Sequence, residues 1–334
     1  MSDRTPVNVI TGFLGSGKTT LLQRMLGAPQ LARTAVLINE FGEVGLDHLL
    51  VQRVEESLVL LQSGCICCSM RGDLSGALRD LLGRREREDI PPFDRVVVET
   101  TGLADPGSIL NTLLHEPVVR HHYRLGNVIT TVDAVNARLH LSANPEGIKQ
   151  IACADRLLVT KTDLAPPELS REVQHVLAKL NPAAEILDAQ EDSFDIERLL
   201  AATGSERQRR SIESDGTGQS VAFRPHMDSV SSFSLVLDEP LDWTAFGIWL
   251  SLLLNRHGND VLRVKGILRV QGSEAPVFIN AVQHIVHPPM HLPAWPTDDR
   301  RSRIVFITRG MDHVLMRRSL EAFCRTPVGE LVVA

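Results

Sequence analysis

Residues 12–19 of this 334-residue chain have the sequence Gly-Phe-Leu-Gly-Ser-Gly-Lys-Thr. They fill every fixed position of the pattern Gly-x4-Gly-Lys-Thr, in which backbone N–H groups and a lysine surround phosphate oxygens. We expect Gly12, Gly15, Ser16 and Gly17 to turn their backbone toward the phosphates of a nucleoside triphosphate. A turn that needs glycine for steric reasons alone would explain the glycines, but not the lysine and threonine that follow.

The residues after the glycines have separate expected roles. Lys18 is a candidate catalytic residue that reaches the β and γ phosphate oxygens, and the Thr19 hydroxyl is a candidate Mg²⁺ ligand, with Thr20 next to it at the phosphate site. Residues 7–11 have the apolar pattern of a short buried strand, and residues 20–26 that of an opening helix. The order of strand, glycine loop and helix is the one that this chemistry requires.

A second candidate site segment follows the apolar residues 95–98, where Glu99 is succeeded by Thr-Thr-Gly102. Glu99 is expected to hold Mg²⁺ through water or to orient the attacking water, which makes it the second candidate catalytic residue. The Gly102 N–H is expected to sense the γ-phosphate. An acidic loop that caps a helix is the alternative interpretation.

The base of the nucleotide is indicated by residues 160–163, Thr-Lys-Thr-Asp, which follow another apolar run. They resemble the guanine-selecting element Asn-Lys-x-Asp, with Thr160 in place of asparagine and Lys161 retained. A carboxylate at Asp163 accepts from both guanine N1–H and the 2-amino group, and adenine presents neither donor. GTP is therefore favoured over ATP.

Three cysteines lie within four positions, at Cys65, Cys67 and Cys68. Thiolates at this spacing favour a soft metal such as Zn²⁺ or Cu(I). A further ligand has to come from elsewhere, and Glu43 and His115 are the candidates. Small buried thiols and a redox pair are the alternatives to metal binding.

The composition excludes several classes of protein. The formal net charge is −6, so the chain has no general attraction for nucleic acid or for anionic membranes. No segment approaches the ~20 apolar residues that span a bilayer, and a phosphate loop that begins at residue 12 leaves no room for a signal peptide. Five cysteines in this arrangement do not resemble a secreted disulfide framework. We expect a cytoplasmic protein.

The elements that must position these residues form an α/β fold with a mainly parallel sheet in residues 1–202. Its candidate strands are residues 7–11, 34–38, 95–98, 127–132 and 156–160. A linker is predicted at residues 203–220, where polar residues and glycines interrupt every apolar pattern. Residues 221–334 are predicted to form a smaller α+β domain. Its candidate strands are 230–237, 261–270, 277–286 and 303–308, and its candidate helices are 243–254 and 313–323.

These motifs, taken in order, closely resemble the CobW-type P-loop GTPases. The resemblance rests on residues 12–19, 39–47, 64–68, 99–106 and 160–163, and continues through 263–266, 282–284 and 300–307. It implies a slow, Mg²⁺-dependent GTPase that binds zinc or another transition metal, within a group of metal chaperones, metal-insertion factors and enzyme activators. It also implies that the cysteines lie close to the nucleotide switches. The histidine-rich tract of some members is not present here.

The leading hypothesis is a GTP-driven metallochaperone or metalloenzyme activator that needs GTP, Mg²⁺ and Zn²⁺ and acts on a client metalloprotein. A homodimer is left open. The alternative is a nucleotide-dependent protein that loads a cofactor of the cobalamin type, or that senses metal without delivering it. A third hypothesis, an ATP-dependent small-molecule kinase, leaves Asp163 and the cysteines unexplained.

Overall fold

The computed structural model of the chain describes residues 4–38, 51–54, 58–61, 66–69, 73–191, 194–201 and 230–333. The chain forms two compact units. The first combines residues 1–137, 154–170 and 186–203, and the second combines residues 138–153, 171–185 and 204–334. The linker proposed at residues 203–220 lies outside the described residues, so the division of the chain at that point stays a prediction.

The first unit is built on a nine-stranded sheet in the order β3-β4-β5-β2-β6-β1-β7-β8-β9. The strands are β1 Thr5–Gly12, β2 Thr34–Ile38, β3 Val51–Val54, β4 Leu58–Leu61, β5 Ile66–Ser69, β6 Arg95–Glu99, β7 Tyr123–Asp133, β8 Arg156–Thr160 and β9 Glu185–Asp188. Strands β5, β2, β6, β1, β7 and β8 run parallel to one another. Strands β3 and β4 add an antiparallel edge. The predicted α/β fold with a mainly parallel sheet is confirmed.

Helices cover both faces of this sheet, which is why its central strands are apolar at consecutive positions. Within the described residues the helices are α1 Lys18–Leu26, α2 Leu74–Glu86, α3 Pro106–His115, α4 Pro117–His122, α5 Ala137–Ala143, α6 Pro145–Cys153, α7 Pro167–Leu180, α8 Ile196–Leu200, α9 Trp243–His257 and α10 His313–Cys324, with a short 3₁₀ turn at Pro29–Leu31. In β6, Val96 and Val98 pack in one apolar cluster with residues of α2 and α3. Val97 packs in another cluster with Leu21 and Leu22 of α1.

The second unit contains an antiparallel sheet in the order β13-β12-β11-β15-β10-β16, with β14 beside β12. Its strands are β10 Val230–Leu237, β11 Val261–Leu268, β12 Val277–Val282, β13 Ile285–Val286, β14 Met290–His291, β15 Ser302–Arg309 and β16 Glu330–Val333. One face packs against α9 and α10 through Phe233, Phe246, Trp249 and Leu320. This is the predicted α+β arrangement.

One predicted strand of this unit is wrong. Residues 277–286 do not form one strand, but a hairpin of β12 and β13. Gln283 lies in the turn with φ at +51°, a left-handed conformation that ends an extended strand. The apolar residues on both sides of the turn concealed it in the sequence.

The other face of the second sheet carries buried polar groups. Arg263 and Lys265, each 2% exposed, lie on β11 two positions apart and so share a face. Arg263 donates to the carbonyl of Cys153, the last residue of α6, and the Lys265 Nζ donates to the Ala183 carbonyl at 3.2 Å, just after α7. The Ser232 hydroxyl on β10 donates to the Lys179 carbonyl at 2.6 Å. These cations lie where the negative ends of two helix dipoles favour positive charge.

Among the described residues, no helix is long and apolar enough to cross a membrane.

Arg263→Met should lower the free energy of unfolding of the second unit by about 1.5–3 kcal/mol, because it removes a charge-assisted hydrogen bond and leaves a buried carbonyl without it. All three tryptophans of the chain lie in this unit, so their fluorescence during urea unfolding reports on it selectively. The matched control is Arg269→Met, one residue beyond the end of β11, where the side chain is exposed. Equal urea midpoints for the two variants would show that the Arg263 contact adds no stability.

Candidate functional site

The carboxyl ends of four adjacent strands meet at one edge of the parallel sheet. The register places Ile10 of β1 beside Glu99 of β6, Gly12 beside Thr131 of β7, and Asp133 of β7 beside Thr160 of β8. Ligands of open α/β sheets bind at this edge. The fold therefore brings together three motifs that lie far apart in the sequence, namely residues 12–19, 99–102 and 160–163.

The phosphate loop connects β1 to α1, and its glycines adopt positive φ angles of 139° at Gly12, 72° at Gly15 and 92° at Gly17. Lys18 begins α1 and is 8% exposed. Its Nζ donates to the carbonyls of Gly12 at 3.0 Å and Phe13 at 3.2 Å, so the ammonium group lies across the loop. This is the backbone expected of a phosphate-binding loop at a helix N-terminus.

Gly12 leaves no space for a side chain. A Cβ at this position would lie 2.3 Å from the Thr131 Oγ1 and 2.5 Å from the Thr131 carbonyl oxygen. The Thr131 hydroxyl instead hydrogen-bonds the Ser16 hydroxyl at 2.6 Å and donates to the Thr11 carbonyl at 3.3 Å. Strand β7 thus holds both ends of the phosphate loop.

The Thr19 hydroxyl donates to the Glu99 Oε1 at 3.0 Å, and Glu99 is only 3% exposed. A hydroxyl and a carboxylate oxygen are hard donors of the kind that Mg²⁺ accepts. The two residues predicted to hold Mg²⁺ therefore meet, and their donor set fits the ion. Thr20 follows in the first turn of α1 and is exposed.

Gly102 lies directly against the phosphate loop. A Cβ on this residue would lie 2.6 Å from the backbone nitrogen of Leu14 and 2.8 Å from its Cα. Only glycine allows this approach, because the atoms it meets are backbone atoms. The segment after Glu99 therefore lies against the phosphate loop, and the role of Gly102 as a γ-phosphate sensor stays a prediction.

Thr160 connects the base-recognition segment to the phosphate loop. Its hydroxyl donates to the Ser16 carbonyl at 2.8 Å and approaches the Val132 carbonyl at 3.3 Å. Thr160 is 7% exposed, whereas Asp163 is exposed. In this chain, the residue that replaces asparagine holds the two loops together through the backbone.

Three residues that the sequence motifs did not single out also belong to this edge. They are Thr131, Asp133 and Asp188. Asp133 is 1% exposed and accepts a hydrogen bond from the Lys161 Nζ at 2.7 Å, and Asp188 accepts one from the Thr162 hydroxyl at 2.7 Å. Each aspartate ends an apolar strand, which is the only local signal that marks it.

The pKa of Asp133 lies below its ordinary value. Burial raises the pKa, but hydrogen bonds from Lys161, Asn136 and Val135 outweigh burial. A carboxylate with a lowered pKa contributes stability above its unfolded-state pKa, and this contribution is lost only as the pH falls through the folded-state value. Asp133 is therefore ionised throughout the neutral range.

The predicted metal site falls mostly outside the described residues. Cys65 and Glu43 lie outside them, and Cys67 and Cys68 are described only as part of strand β5. His115 is the exposed last residue of α3. In the part of the chain that the structure describes, no group of three or more His, Cys, Asp or Glu side chains is placed to hold a metal ion. The ligand set stays a prediction.

The backbone register nevertheless relates the cysteines to the nucleotide edge. Cys67 and Cys68 pair with Val36 and Leu37 of β2, and β2 pairs in turn with β6. Two strand spacings separate β5 from β6, or about 10 Å. The strand that carries two of the cysteines thus ends at the same edge as Glu99.

Comparisons with known proteins identify the family of both parts of the chain. A model of the CobW/HypB/UreG nucleotide-binding domain matches residues 6–188, and a model of the cobalamin synthesis protein CobW C-terminal domain matches residues 230–324. The chain belongs to the CobW family. The resemblance seen in the motifs is confirmed.

Curated relatives of this CobW-family chain include the zinc chaperone YjiA of Escherichia coli, which is 33% identical over 301 residues that cover 90% of this chain and 93% of YjiA. The zinc-regulated GTPase metalloprotein activator 1 of Schizosaccharomyces pombe is 35% identical over 193 residues, which cover 56% of this chain and 46% of that protein. Among solved structures, the Zn(II)-bound YjiA GTPase from E. coli matches with a TM-score of 0.76 at 30% identity, covering 96% of this chain and 99% of that one.

Gly102→Ala in this CobW-family protein should lower the rate of GTP hydrolysis by about 100-fold, because the added methyl group pushes the segment after Glu99 off the phosphate loop. GDP has no γ-phosphate and should bind with unchanged affinity. Gly27→Ala is the matched control, since its Cβ would meet nothing closer than 3.5 Å. Unchanged hydrolysis by Gly102→Ala would contradict the assigned role.

Proposed function

We propose that this protein is a GTPase that binds Zn²⁺ at Cys65, Cys67 and Cys68 and couples the metal to its nucleotide state, as a metallochaperone or metalloenzyme activator. The observation that carries the proposal is the convergence of the phosphate loop, Glu99 and the end of the cysteine-bearing strand at one edge of the sheet. The names of the zinc chaperone and metalloprotein activator relatives support it.

The chain's own residues account for the steps of hydrolysis. We assign the binding of the triphosphate to the phosphate loop and Lys18, and contact with the γ-phosphate to Gly102, which lies against Leu14 of that loop. Thr19 and Glu99 would hold Mg²⁺, which supplies charge neutralisation on the phosphates when bound. Orientation of the attacking water is the alternative role that we propose for Glu99. Because the described residues include no identified arginine finger, we expect slow turnover until a client protein binds.

The proposal for guanine rests on Asp163, which is exposed in the segment that follows β8. Its carboxylate accepts two hydrogen bonds from guanine and none from adenine. The Thr160 hydroxyl does not contribute to this selection, because it holds the Ser16 carbonyl. Selection of the base thus rests on the carboxylate and on the elements that place it.

Asp163→Asn should lower the affinity for GTP by about 10- to 150-fold and raise the affinity for xanthosine triphosphate, whose 2-oxo group accepts from the new amide. The affinities are measured by competition against a fluorescent guanine nucleotide. Asp94→Asn is the control, since Asp94 lies at the amino end of β6 in an exposed ion pair with Arg33. Equal weakening of GTP, ATP and xanthosine triphosphate would contradict base recognition by Asp163.

The client, the oligomeric state and the location complete the proposal. Structural zinc sites take four ligands, so three cysteines leave one position for Glu43, His115, a client protein or a second copy of the chain. A homodimer supplies that position without a client. Thiolate ligands need a reducing compartment, which is why we propose that the protein is cytoplasmic.

Zinc affinity should differ about 5- to 150-fold between the GDP- and GTP-bound forms, and by reciprocity zinc should change nucleotide affinity by the same factor. The reduced, metal-free protein is titrated with Zn²⁺ against a competing chelator in each nucleotide state. Cys67→Ala should abolish the difference, whereas the control Cys324→Ala, in the core of the second unit, should keep it. Weak or nucleotide-indifferent binding would favour the loading of a cobalamin-type cofactor or a purely sensory role.

A further inference from the structure

The two residues before Asp163 are each anchored by a carboxylate, and the two carboxylates come from the strands on either side. Strand β8 leads into Lys161, Thr162 and Asp163, and its neighbours in the sheet are β7 and β9. Asp133 ends β7 and Asp188 ends β9. The loop that carries Asp163 is therefore held from both directions.

On the β7 side, the anchor is an ion pair between the partly exposed Lys161 and the buried Asp133. The Lys161 Nζ donates to the Asp133 Oδ2 at 2.7 Å, with the Asp133 side chain 1% exposed and the Lys161 side chain 36% exposed. Asp133 is itself fixed, because it accepts from the backbone N–H of Val135 at 2.8 Å and from the side-chain amide of Asn136 at 2.8 Å. The lysine thus binds to a rigid acceptor.

Lys161 needs such an anchor because of its backbone. Its φ angle is +58°, in the left-handed region that costs a residue with a side chain about 1 kcal/mol or more. The next turn is closed by a hydrogen bond from the Leu164 N–H to the Lys161 carbonyl at 3.1 Å. A return of Lys161 to an ordinary conformation would redirect the chain at Asp163.

On the β9 side, the Thr162 hydroxyl donates to the Asp188 Oδ1 at 2.7 Å. The same oxygen accepts from the Gln190 N–H at 2.9 Å, so Asp188 is held by its own turn. The Ala189 N–H also donates to the Val159 carbonyl at 2.8 Å, which joins the ends of β9 and β8. The second anchor is thus as well supported as the first.

Asp163 differs from its two neighbours. It is exposed, and within the described residues its carboxylate takes part in no hydrogen bond or ion pair. Lys161 and Thr162 are therefore bound to the ends of the neighbouring strands, whereas the carboxylate oxygens of Asp163 can accept hydrogen bonds from a ligand.

We propose that Asp133 and Asp188 are positioning residues for base selection, which act through Lys161 and Thr162 to hold Asp163 where it accepts both guanine donors. The inference rests on the proposed recognition of guanine by Asp163. Two hydrogen bonds to one planar edge require a fixed carboxylate plane, whereas the phosphates are bound by a separate loop. Loss of either anchor should therefore remove guanine selectivity and spare phosphate binding.

The test compares GDP with inosine diphosphate, which lacks the 2-amino group and so reports one of the two donors. Thr162→Val removes the hydroxyl and keeps the shape of the side chain, and Asp133→Asn removes the charge that holds Lys161. Each should lower the ratio of GDP affinity to inosine diphosphate affinity by about tenfold, and inosine diphosphate should lose less affinity than GDP because only its N1–H contact is affected. Thr162→Ser, which restores the hydroxyl, should restore the ratio.

A double-mutant cycle assigns the β9 contact. Adding Asp188→Ala to Thr162→Val should lower the ratio no further, since each change removes one partner of the same hydrogen bond. Asp94→Asn serves again as the distant control. If Asp133→Asn does not fold, the affinity ratios of Thr162→Val and Thr162→Ser test the positioning role alone.

The outcomes separate this inference from the function on which it rests. If the ratio of GDP affinity to inosine diphosphate affinity is unchanged in Thr162→Val, or if both nucleotides lose affinity equally, the positioning role is wrong. Guanine recognition is still supported in that case if Asp163→Asn lowers the ratio. An unchanged ratio in Asp163→Asn overturns guanine recognition, and the positioning role with it.

Discussion

Hydroxyl groups at the ends of the central strands hold the phosphate loop, and the rest of the site depends on this arrangement. The loop contains three glycines with positive φ angles. Fixing the backbone in one conformation costs more entropy at a glycine than at any other residue. Thr131 fixes it from β7 through the Ser16 hydroxyl, and Thr160 fixes it from β8 through the Ser16 carbonyl. The Thr100 hydroxyl joins β6 to Thr11 at 2.9 Å. The loop is therefore rigid before any phosphate arrives.

This arrangement also explains why threonine at position 160 is compatible with the site. A threonine hydroxyl is shorter than an asparagine amide, and here it reaches the backbone of the phosphate loop and not the base edge. In the recognition of guanine that we propose, selectivity for the base then depends more heavily on the Asp163 carboxylate. Asp133, which is buried, and Asp188, which is half-buried, hold the segment that carries this carboxylate.

Local signals in the sequence predicted a large part of the first unit. Strands β2 and β8 have the predicted bounds, because short runs of β-branched and aliphatic residues stand between polar residues. The pairing of Thr19 with Glu99 followed from motif chemistry. The contacts of Lys161 with Asp133 and of Thr162 with Asp188 could not be predicted in this way. Asp133 lies 28 residues before Lys161, and Asp188 lies 26 residues after Thr162. Only the register of neighbouring strands joins such pairs, and residue types do not encode it. The β12–β13 hairpin was missed for a local reason, since glutamine rarely marks a left-handed turn.

The buried cations of β11 have a consequence for the order in which the protein is made. Arg263 follows Cys153 by 110 residues, and Lys265 follows Ala183 by 82 residues. The ribosome therefore releases α6 and α7 long before the strand whose charges meet their carboxyl ends. A chain that ends near residue 188, where the match to the nucleotide-binding domain stops, contains both helices and neither cation. Recombinant versions of that domain alone thus leave the carboxyl ends of both helices without these donors, although every nucleotide motif lies within them.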